Sequence, residues 1–308
     1  MNIKAYRTQF IQELISIYGK EEAESIFYLV LEEKNQLKRV DLALNPNLNF
    51  TDEEIQVWES ILKDLKKQKP VQYLLGKTSF YGLEFEVNEN VLIPRPETEE
   101  LIEWIIQGQR SEVRGEKMKD ENKKIKILDI GTGSGCIAIS LAKNISNAIV
   151  YAIDVSEKAL AIAQKNAKIN SVEVRFIPSD ILKIDDLKIL PTSHCHPELV
   201  EGLLPTHFDI IVSNPPYVRE IEKQEIKKNV LDYEPHLALF VADNDALIFY
   251  KKIAELAQKT LSKNGQLYFE INQYLGKEMT ELLEKMNFKN IELRKDIYGN
   301  DRMIMAEI

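Results

Sequence analysis

The chain of 308 residues is poor in the groups that most often announce chemistry. It has two cysteines, Cys136 and Cys195, and four histidines. Two thiols cannot build a disulfide framework, and their scarcity fits a reducing compartment. No uninterrupted apolar run approaches the ~20 residues a membrane helix needs. The start, Met1-Asn2-Ile3-Lys4-Ala5-Tyr6-Arg7, carries no apolar signal core. A cytoplasmic protein with no membrane partner is therefore expected. A cationic excess is lacking too, since the formal net charge is -9. Broad binding to a phosphate backbone needs clustered cations, so no direct nucleic-acid partner is expected. Short basic stretches such as Lys66-Lys67-Gln68-Lys69 read as solvated helix ends. Three of the four histidines lie between Lys183 and His207, where His194-Cys195-His196 invites a zinc reading. Adjacent residues rarely turn their side chains onto one metal, and no C-x-x-C or H-x-x-x-H pair is near. The stretch 183–207 reads as a surface insertion, and no metal is expected.

What is present is an ordered change of hydrophobic period. Up to about Lys69 the period is helical: Phe10, Ile11, Leu14, Ile15 and Tyr18 form one set, and Ile26, Phe27, Val30 and Leu31 another. Thr51-Asp52-Glu53-Glu54 is a capping box, with Phe50 and Ile55 placed as its hydrophobic staple. The following helix runs through Trp58, Ile61, Leu62 and Leu65. Between Pro70 and Pro96 the pattern alternates. Leu83, Phe85 and Val87 predict one strand, Asn88-Glu89-Asn90 a turn, and Val91-Leu92-Ile93 a second strand. Pro96 opens a helix through Leu101, Ile102, Trp104 and Ile105. Gln107 to Lys124 is charged and reads as a loop. Beyond it, apolar strands near Ile125–Ile130, Ala148–Ile153, Val172–Ile177, Phe208–Ser213 and Gln266–Ile271 alternate with helical segments. Ile291–Lys295 and Arg302–Ile308 close the chain as a strand pair, with one member expected to be antiparallel. This is an α/β pattern, a mostly parallel sheet with helices on both faces. It divides into a helical domain (1–75), a β-hairpin linker (76–97) and a catalytic domain (98–308).

Two strand ends carry chemistry. The first is Gly131-Thr132-Gly133-Ser134-Gly135, after Leu128-Asp129-Ile130 and before a helix. Dinucleotide loops want glycine at the sixth position, which here is Cys136, and no Gly-Lys-Ser/Thr follows as a phosphate loop needs. Asp154 ends the next strand about 20 residues on, where a carboxylate grips ribose hydroxyls; a helix cap is the alternative use of Asp154 or Ser156. Asp180 ends the third strand, placed to accept from the exocyclic amine of adenine. Three successive strand ends of this kind point to an adenosyl group lying across them. The second end is Asn214-Pro215-Pro216-Tyr217, after the buried run Phe208–Ser213. Its Asn214 side-chain oxygen and Pro215 carbonyl can accept both N–H bonds of a planar NH2 group. Tyr217 can stack on that plane, and the prolines stiffen the turn and remove competing donors.

The glycine loop, Asp154 and Asn214-Pro215-Pro216-Tyr217 together resemble an S-adenosylmethionine-dependent methyltransferase acting on a planar nitrogen. Further segments resemble the release factor glutamine methyltransferase family. They are Pro70-Val71-Gln72-Tyr73-Leu74-Leu75-Gly76, Phe80-Tyr81-Gly82 and Leu92-Ile93-Pro94-Arg95-Pro96-Glu97-Thr98-Glu99, and later Asp232-Tyr233-Glu234-Pro235, Ala242-Asp243-Asn244 and Asp296-Ile297-Tyr298-Gly299-Asn300-Asp301-Arg302. The resemblance implies a Rossmann-like sheet after a helical N-terminal domain. It also implies methylation of the glutamine side-chain amide in the Gly-Gly-Gln loop of class I peptide chain release factors. By the same resemblance, Gly131 to Gly135 hold the methionine end of S-adenosylmethionine, Asp154 its ribose, and Ile181, after Asp180, lies beside its adenine, with S-adenosylhomocysteine as product. Asn214 touches cofactor and substrate, and Pro215, Pro216 and Tyr217 complete the glutamine pocket. Arg95 and Glu97 receive no role. Asn272 stands where the family often has glycine, so an altered pocket rim is expected.

Three other readings stay open at this point. An adenine-N6 methyltransferase also suits N-P-P-Y, since a flipped adenine presents a planar NH2. An NAD-dependent oxidoreductase is disfavoured by Cys136. A non-catalytic adaptor docking through its helical domain is disfavoured by the intact ligand-competent strand ends.

Overall fold

The computed structural model describes residues 1–114, 124–187 and 205–308. It divides into two compact units, Met1–Lys77 with Ile226–Glu234, and Thr78–Glu225 with Pro235–Ile308. Among the described residues, no helix is long and apolar enough to cross a membrane. The run His194-Cys195-His196 and most of the expected insertion lie outside them.

The first unit is built from helices α1 (Ile3–Tyr18), α2 (Lys20–Asn35), α3 (Arg39–Leu44), α4 (Asp52–Leu65) and α5 (Val71–Leu75). The capping box forms as its sequence dictates. The Glu54 amide donates to Thr51 Oγ1 at 3.2 Å, and Glu54 accepts from the Thr51 amide at 2.8 Å. The core centres on the fully buried Trp58, with the rings of Tyr6, Phe10, Phe27 and Phe50 at 4.9–5.7 Å. The indole N–H of Trp58 does not go unpaired, as a buried donor must not. It donates to Asn35 Oδ1 at 3.0 Å, and the Asn35 amide donates in turn to Glu54.

A hairpin follows that differs from the expected one; all of it but Lys77 belongs to the second unit. Its strands are β1 (Lys77–Phe80) and β2 (Leu83–Glu86), joined at Tyr81-Gly82, both with positive φ (48° and 71°) as a tight hairpin turn requires. Val91-Leu92-Ile93 is not a strand. It is apolar because Val91 and Ile93 are buried, and period alone cannot separate a buried coil from a buried strand. Helix α6 (Pro96–Arg114) likewise runs on through residues expected to be loop. That segment lacks an apolar stripe, yet Gln, Glu and Arg are good helix formers.

A seven-stranded sheet follows, from β3 (Ile125–Ile130), β4 (Ala148–Asp154), β5 (Val174–Pro178) and β6 (Phe208–Ser213), with helices α7 (Cys136–Asn144) and α8 (Glu157–Ile169) between. After β6 a short parallel pair forms between β7 (Val218–Arg219) and β8 (Phe240–Val241). Chain order assigns the helix between them, α9 (Lys228–Tyr233), to the catalytic region. In the structure it belongs to the first unit, where the Tyr233 hydroxyl donates to the Lys67 carbonyl at 3.1 Å. The chain ends with α10 (Ile248–Thr260), β9 (Leu261–Glu270), α11 (Gly276–Lys285), β10 (Lys289–Lys295) and β11 (Asp301–Glu307). The strand order is β10-β11-β9-β6-β3-β4-β5, parallel except for β11, which is antiparallel to both neighbours. Alternate residues of each strand feed two cores. Leu128, Ile153 and Ile211 pack with α10 and α11 residues such as Tyr250 and Met279, and Ile127, Ala152 and Ile210 with α6, α7 and α8 residues such as Ile102, Ile139 and Leu160. The order turns back between β3 and β6, the switch point where open α/β sheets bind ligands.

Candidate active site

Register brings the chemistry-bearing ends level. Ile130 lies opposite Ile153 on one side and Ser213 on the other, and Asp154 lies opposite Pro178. The residues that follow β3, β4, β5 and β6 therefore emerge together. The Ser213 hydroxyl locks the central pair by donating to the Ile130 carbonyl at 2.6 Å.

Beyond β3 the chain turns through Gly131, Gly133 and Gly135, with φ of 76°, 56° and 83°. The Gly131 and Thr132 amides both donate to the Ile153 carbonyl, at 2.8 and 3.0 Å. Gly135 is the tight one. A Cβ there would stand 2.9 Å from Ile139 Cδ1 and 3.1 Å from Ala163 Cβ, so its absence lets α7 pack on α8. At Gly131 and Gly133 a Cβ would meet nothing within 4 Å. Asn166 of α8 ties the loop to the hairpin, donating to the Ser134 carbonyl at 2.9 Å and the Glu86 carbonyl at 3.0 Å.

Asp154 accepts from the Gly133 amide through Oδ2 and from the Ser156 amide through Oδ1, both at 2.8 Å. Burial pushes its pKa up, and the Ser156, Gly133 and Val155 amides oppose the rise. The cap of α8 is Ser156, accepting from the Ala159 amide, so Asp154 is not consumed as the cap. Asp180 accepts from the Leu182 amide at 3.1 Å and pairs with Lys183 at 2.9 Å.

One cavity unites most of these groups. Gly131, Thr132, Gly133, Ser134, Asp154, Asp180, Ile181, Asn214, Pro215 and Pro216 line it, and Leu237 and Phe249 add apolar wall. Gly135 and Tyr217 do not line it. Gly135 stands behind the loop, and Tyr217 turns its hydroxyl to Glu270 at 3.1 Å. Burial raises the Tyr217 phenol above its ordinary range. The residues that sequence reasoning missed are Asn90, Pro94 and Thr98 of the cavity wall, and Glu270 behind it. The run Leu92-Ile93-Pro94-Arg95-Pro96-Glu97-Thr98 was the available signal for the first group. Asn272 is not on the rim: it is buried, donating to the Tyr217 carbonyl at 3.0 Å and to Glu222 at 2.9 Å.

The donor set limits the chemistry. Cys136 lines the cavity, but burial pushes its thiol up to about 12, so it offers no thiolate near neutral pH. Arg95 is the single cation among the described lining residues, too few for a pyrophosphate. A half-buried carboxylate beside apolar walls fits a nucleoside instead. A switch-point cavity with this glycine loop, an acidic β4 end and an amide-bearing β6 end defines a methyltransferase of the S-adenosylmethionine-dependent class. The comparisons with known proteins agree. A family model described as "Methyltransferase domain" matches residues 121–303, and one described as "PrmC N-terminal domain" matches residues 6–76. The release factor glutamine methyltransferase of Flavobacterium psychrophilum is 62% identical, over 99% of this chain and 98% of its own. That of Bacteroides thetaiotaomicron is 40% identical, over 99% and 98%. The solved hMettl16 catalytic domain, in complex with the MAT2A 3'UTR hairpin 6, is similar in fold, with a TM-score of 0.50, 14% identity and coverage of 84% and 83%. The chain belongs to the release factor glutamine methyltransferase family.

Proposed function

We propose that this protein transfers a methyl group from S-adenosylmethionine to the side-chain amide nitrogen (N5) of the glutamine in the Gly-Gly-Gln loop of class I peptide chain release factors. The placement of Asn214 and Pro215 carries the reading. They stand at the cavity wall, one and two residues beyond the Ile130–Ser213 register pair and beside the glycine loop. The substrate class is supported by the name its relatives carry over the whole chain.

When bound, S-adenosylmethionine supplies an electrophilic methyl group on its sulfonium. Asp154 is the group to hold its ribose, with Ile181 beside the adenine. The chain's own work is positioning. An amide nitrogen is a weak nucleophile because its lone pair is delocalised. Asn214 Oδ1 and the Pro215 carbonyl accept its two N–H bonds and fix where the nitrogen points, an effect worth most when the reacting atoms are already aligned. The nitrogen sheds one proton after transfer, so no strong base is needed. Pro215 and Pro216 keep the turn rigid and offer no amide N–H to compete. The helical first unit is the docking surface for the release factor.

Mass spectrometry of a purified release factor, incubated with this protein and S-adenosylmethionine, tests the reading. One added methyl group on the loop glutamine is expected, with none on a Gln→Ala control. Cofactor binding without transfer would move the reading to a nucleic-acid adenine or another protein amide. Asn214→Ala is expected to cut kcat about 100-fold or more while leaving cofactor affinity within about threefold. An active Asn214→Ala enzyme would remove the role given to that amide.

A further inference from the structure

From the cavity wall at Asn214 and Thr98 a chain of polar groups runs inward to the buried Glu270, and the reaction as described does not use it. Thr98 is 2% exposed and Glu270 1%. Thr98 Oγ1 donates to Glu270 Oε2 at 2.6 Å, and Asn214 Nδ2 donates to the same Thr98 oxygen at 3.4 Å. The other oxygen of Glu270 accepts from the Tyr217 hydroxyl at 3.1 Å. Register explains the meeting: Ser213 lies opposite Phe269, so Asn214 and Glu270 follow at one level of the sheet. Thr98, in the first turn of α6, meets them there.

An asparagine amide has two ends of nearly equal shape and opposite hydrogen-bonding character. Only one presents an acceptor to a substrate NH2. We propose that Thr98 and Glu270 are positioning residues whose hydrogen-bond direction holds the Asn214 amide with its oxygen toward the substrate. The inference rests on the reading of Asn214 as acceptor for the glutamine NH2. A carboxylate can only accept. It therefore takes the single hydroxyl proton of Thr98 and leaves that oxygen able only to accept. The Asn214 group facing it must then be the NH2, and Oδ1 is left for the substrate. The reversed amide would set an oxygen against a hydroxyl oxygen whose proton is already committed, leaving a buried acceptor pair without a donor. Tyr217 supports the same polarity from the other side, because it too donates to Glu270.

The carboxylate sits in a mixed field. Tyr217 and the Arg302 guanidinium favour its charge. Arg302 is itself paired with Asp296 at 3.2 Å and lies 3.5 Å from the Tyr217 hydroxyl. Glu97, the Cys136 thiol and the Tyr250 phenol also face it. Burial raises the Glu270 pKa from its ordinary value, while Thr98, Arg302 and Tyr217 oppose the rise. A protonated Glu270 can donate its own O–H to Thr98 Oγ1, which frees the Thr98 hydroxyl proton to donate to Asn214. The preference for one amide orientation is lost, so kcat falls as pH drops through the raised pKa.

The test is steady-state kinetics on a purified release factor, with cofactor Kd by calorimetry, for Thr98→Val, Thr98→Ser and Glu270→Gln. Thr98→Val keeps shape but removes the relay. Its kcat is expected to fall about 10- to 100-fold with cofactor Kd within about twofold. Thr98→Ser restores the hydroxyl and most of kcat. Glu270→Gln lowers kcat and lacks the acid limb of the unmodified enzyme. Unchanged kcat in Thr98→Val, equal damage in Thr98→Ser, or a parallel loss of cofactor affinity would overturn the relay. Absence of transfer by the unmodified enzyme would instead sink the functional reading itself.

Discussion

Asp129 is the penultimate residue of β3 and Asp154 the last of the neighbouring β4, and the structure gives them opposite tasks. Asp154 faces the cavity and binds two amides, one of them in the glycine loop. Replacing it removes the acceptor proposed for ribose and releases the Gly133 amide together. Asp154→Ala is expected to weaken S-adenosylmethionine binding by about 1.5–3 kcal/mol, roughly 10- to 150-fold, read by calorimetry. An unchanged Kd would contradict the role. Asp129 is fully buried and accepts from the Thr132 hydroxyl at 2.6 Å. Burial raises its pKa to about 7, against the Thr132 and Ala138 bonds, with the Asp154 charge adding to the rise. The folded state thus holds a proton that the unfolded chain releases from its ordinary pKa of 3.8 upward. Stability from this group is full at acid pH and is lost as pH rises toward 7, by about 2 kcal/mol between pH ~5 and ~7. Asp129→Asn is neutral in both states, so urea titrations at the two pH values should show a smaller fall than in the unmodified protein. An identical fall in both would show that Asp129 does not carry the proton. Asp154 was legible because an acid ending a second strand has a known use. Thr98 and Glu270 were not: a threonine in a first helical turn and an acid at a strand end each have a bland use, and only the fold brings them 2.6 Å apart.

At the scale of elements, the parallel strands were legible because burial on both faces makes them continuous apolar runs, and each ends where its polar residues begin. The same cue failed at Val91-Leu92-Ile93, an apolar coil whose residues Val91 and Leu92 line the cavity. The true hairpin was marked by Tyr81-Gly82, a turn whose positive φ values no periodicity records. Helix α6 overran its apolar stripe for a related reason, since period reads burial and not helix propensity. The α7–α8 contact shows an element fixed by one missing atom. Ile139 meets a Cβ at Gly135 with the end of a side chain, which can move. Ala163 meets it with Cβ and, at 3.4 Å, with Cα on helix backbone, which cannot. The φ of 83° adds strain for any residue with a side chain. Gly135→Ala should therefore cost about 1–3 kcal/mol in thermal or urea unfolding. A melting temperature equal to that of the unmodified protein would mean that α7 and α8 shift apart without penalty.

At the scale of the whole molecule, the proposed chemistry and the proposed docking belong to different units. Among the described residues, all that line the cavity belong to the second unit, whose two cores flank the sheet. The first unit has its own core around Trp58, yet part of it, Ile226–Glu234, is supplied from between β7 and β8. Domain limits drawn along the chain cannot show such a return, because Lys228–Tyr233 buries no residue and carries no apolar stripe that marks which unit it joins. Separate cores allow the two roles to be damaged separately. Trp58→Ala removes the ring that four aromatic neighbours surround, a change that typically costs about 3–5 kcal/mol. The loss falls on the helical unit, so its melting transition should move down while cofactor Kd, measured below that transition, stays within about twofold. Transfer to an intact release factor should fall mainly through a higher KM, because docking weakens while the Asn214 geometry is untouched. Normal KM in a variant whose first unit has measurably loosened would show that the release factor is held by the catalytic unit alone. Loss of cofactor binding in step with the first transition would show instead that the two cores unfold as one.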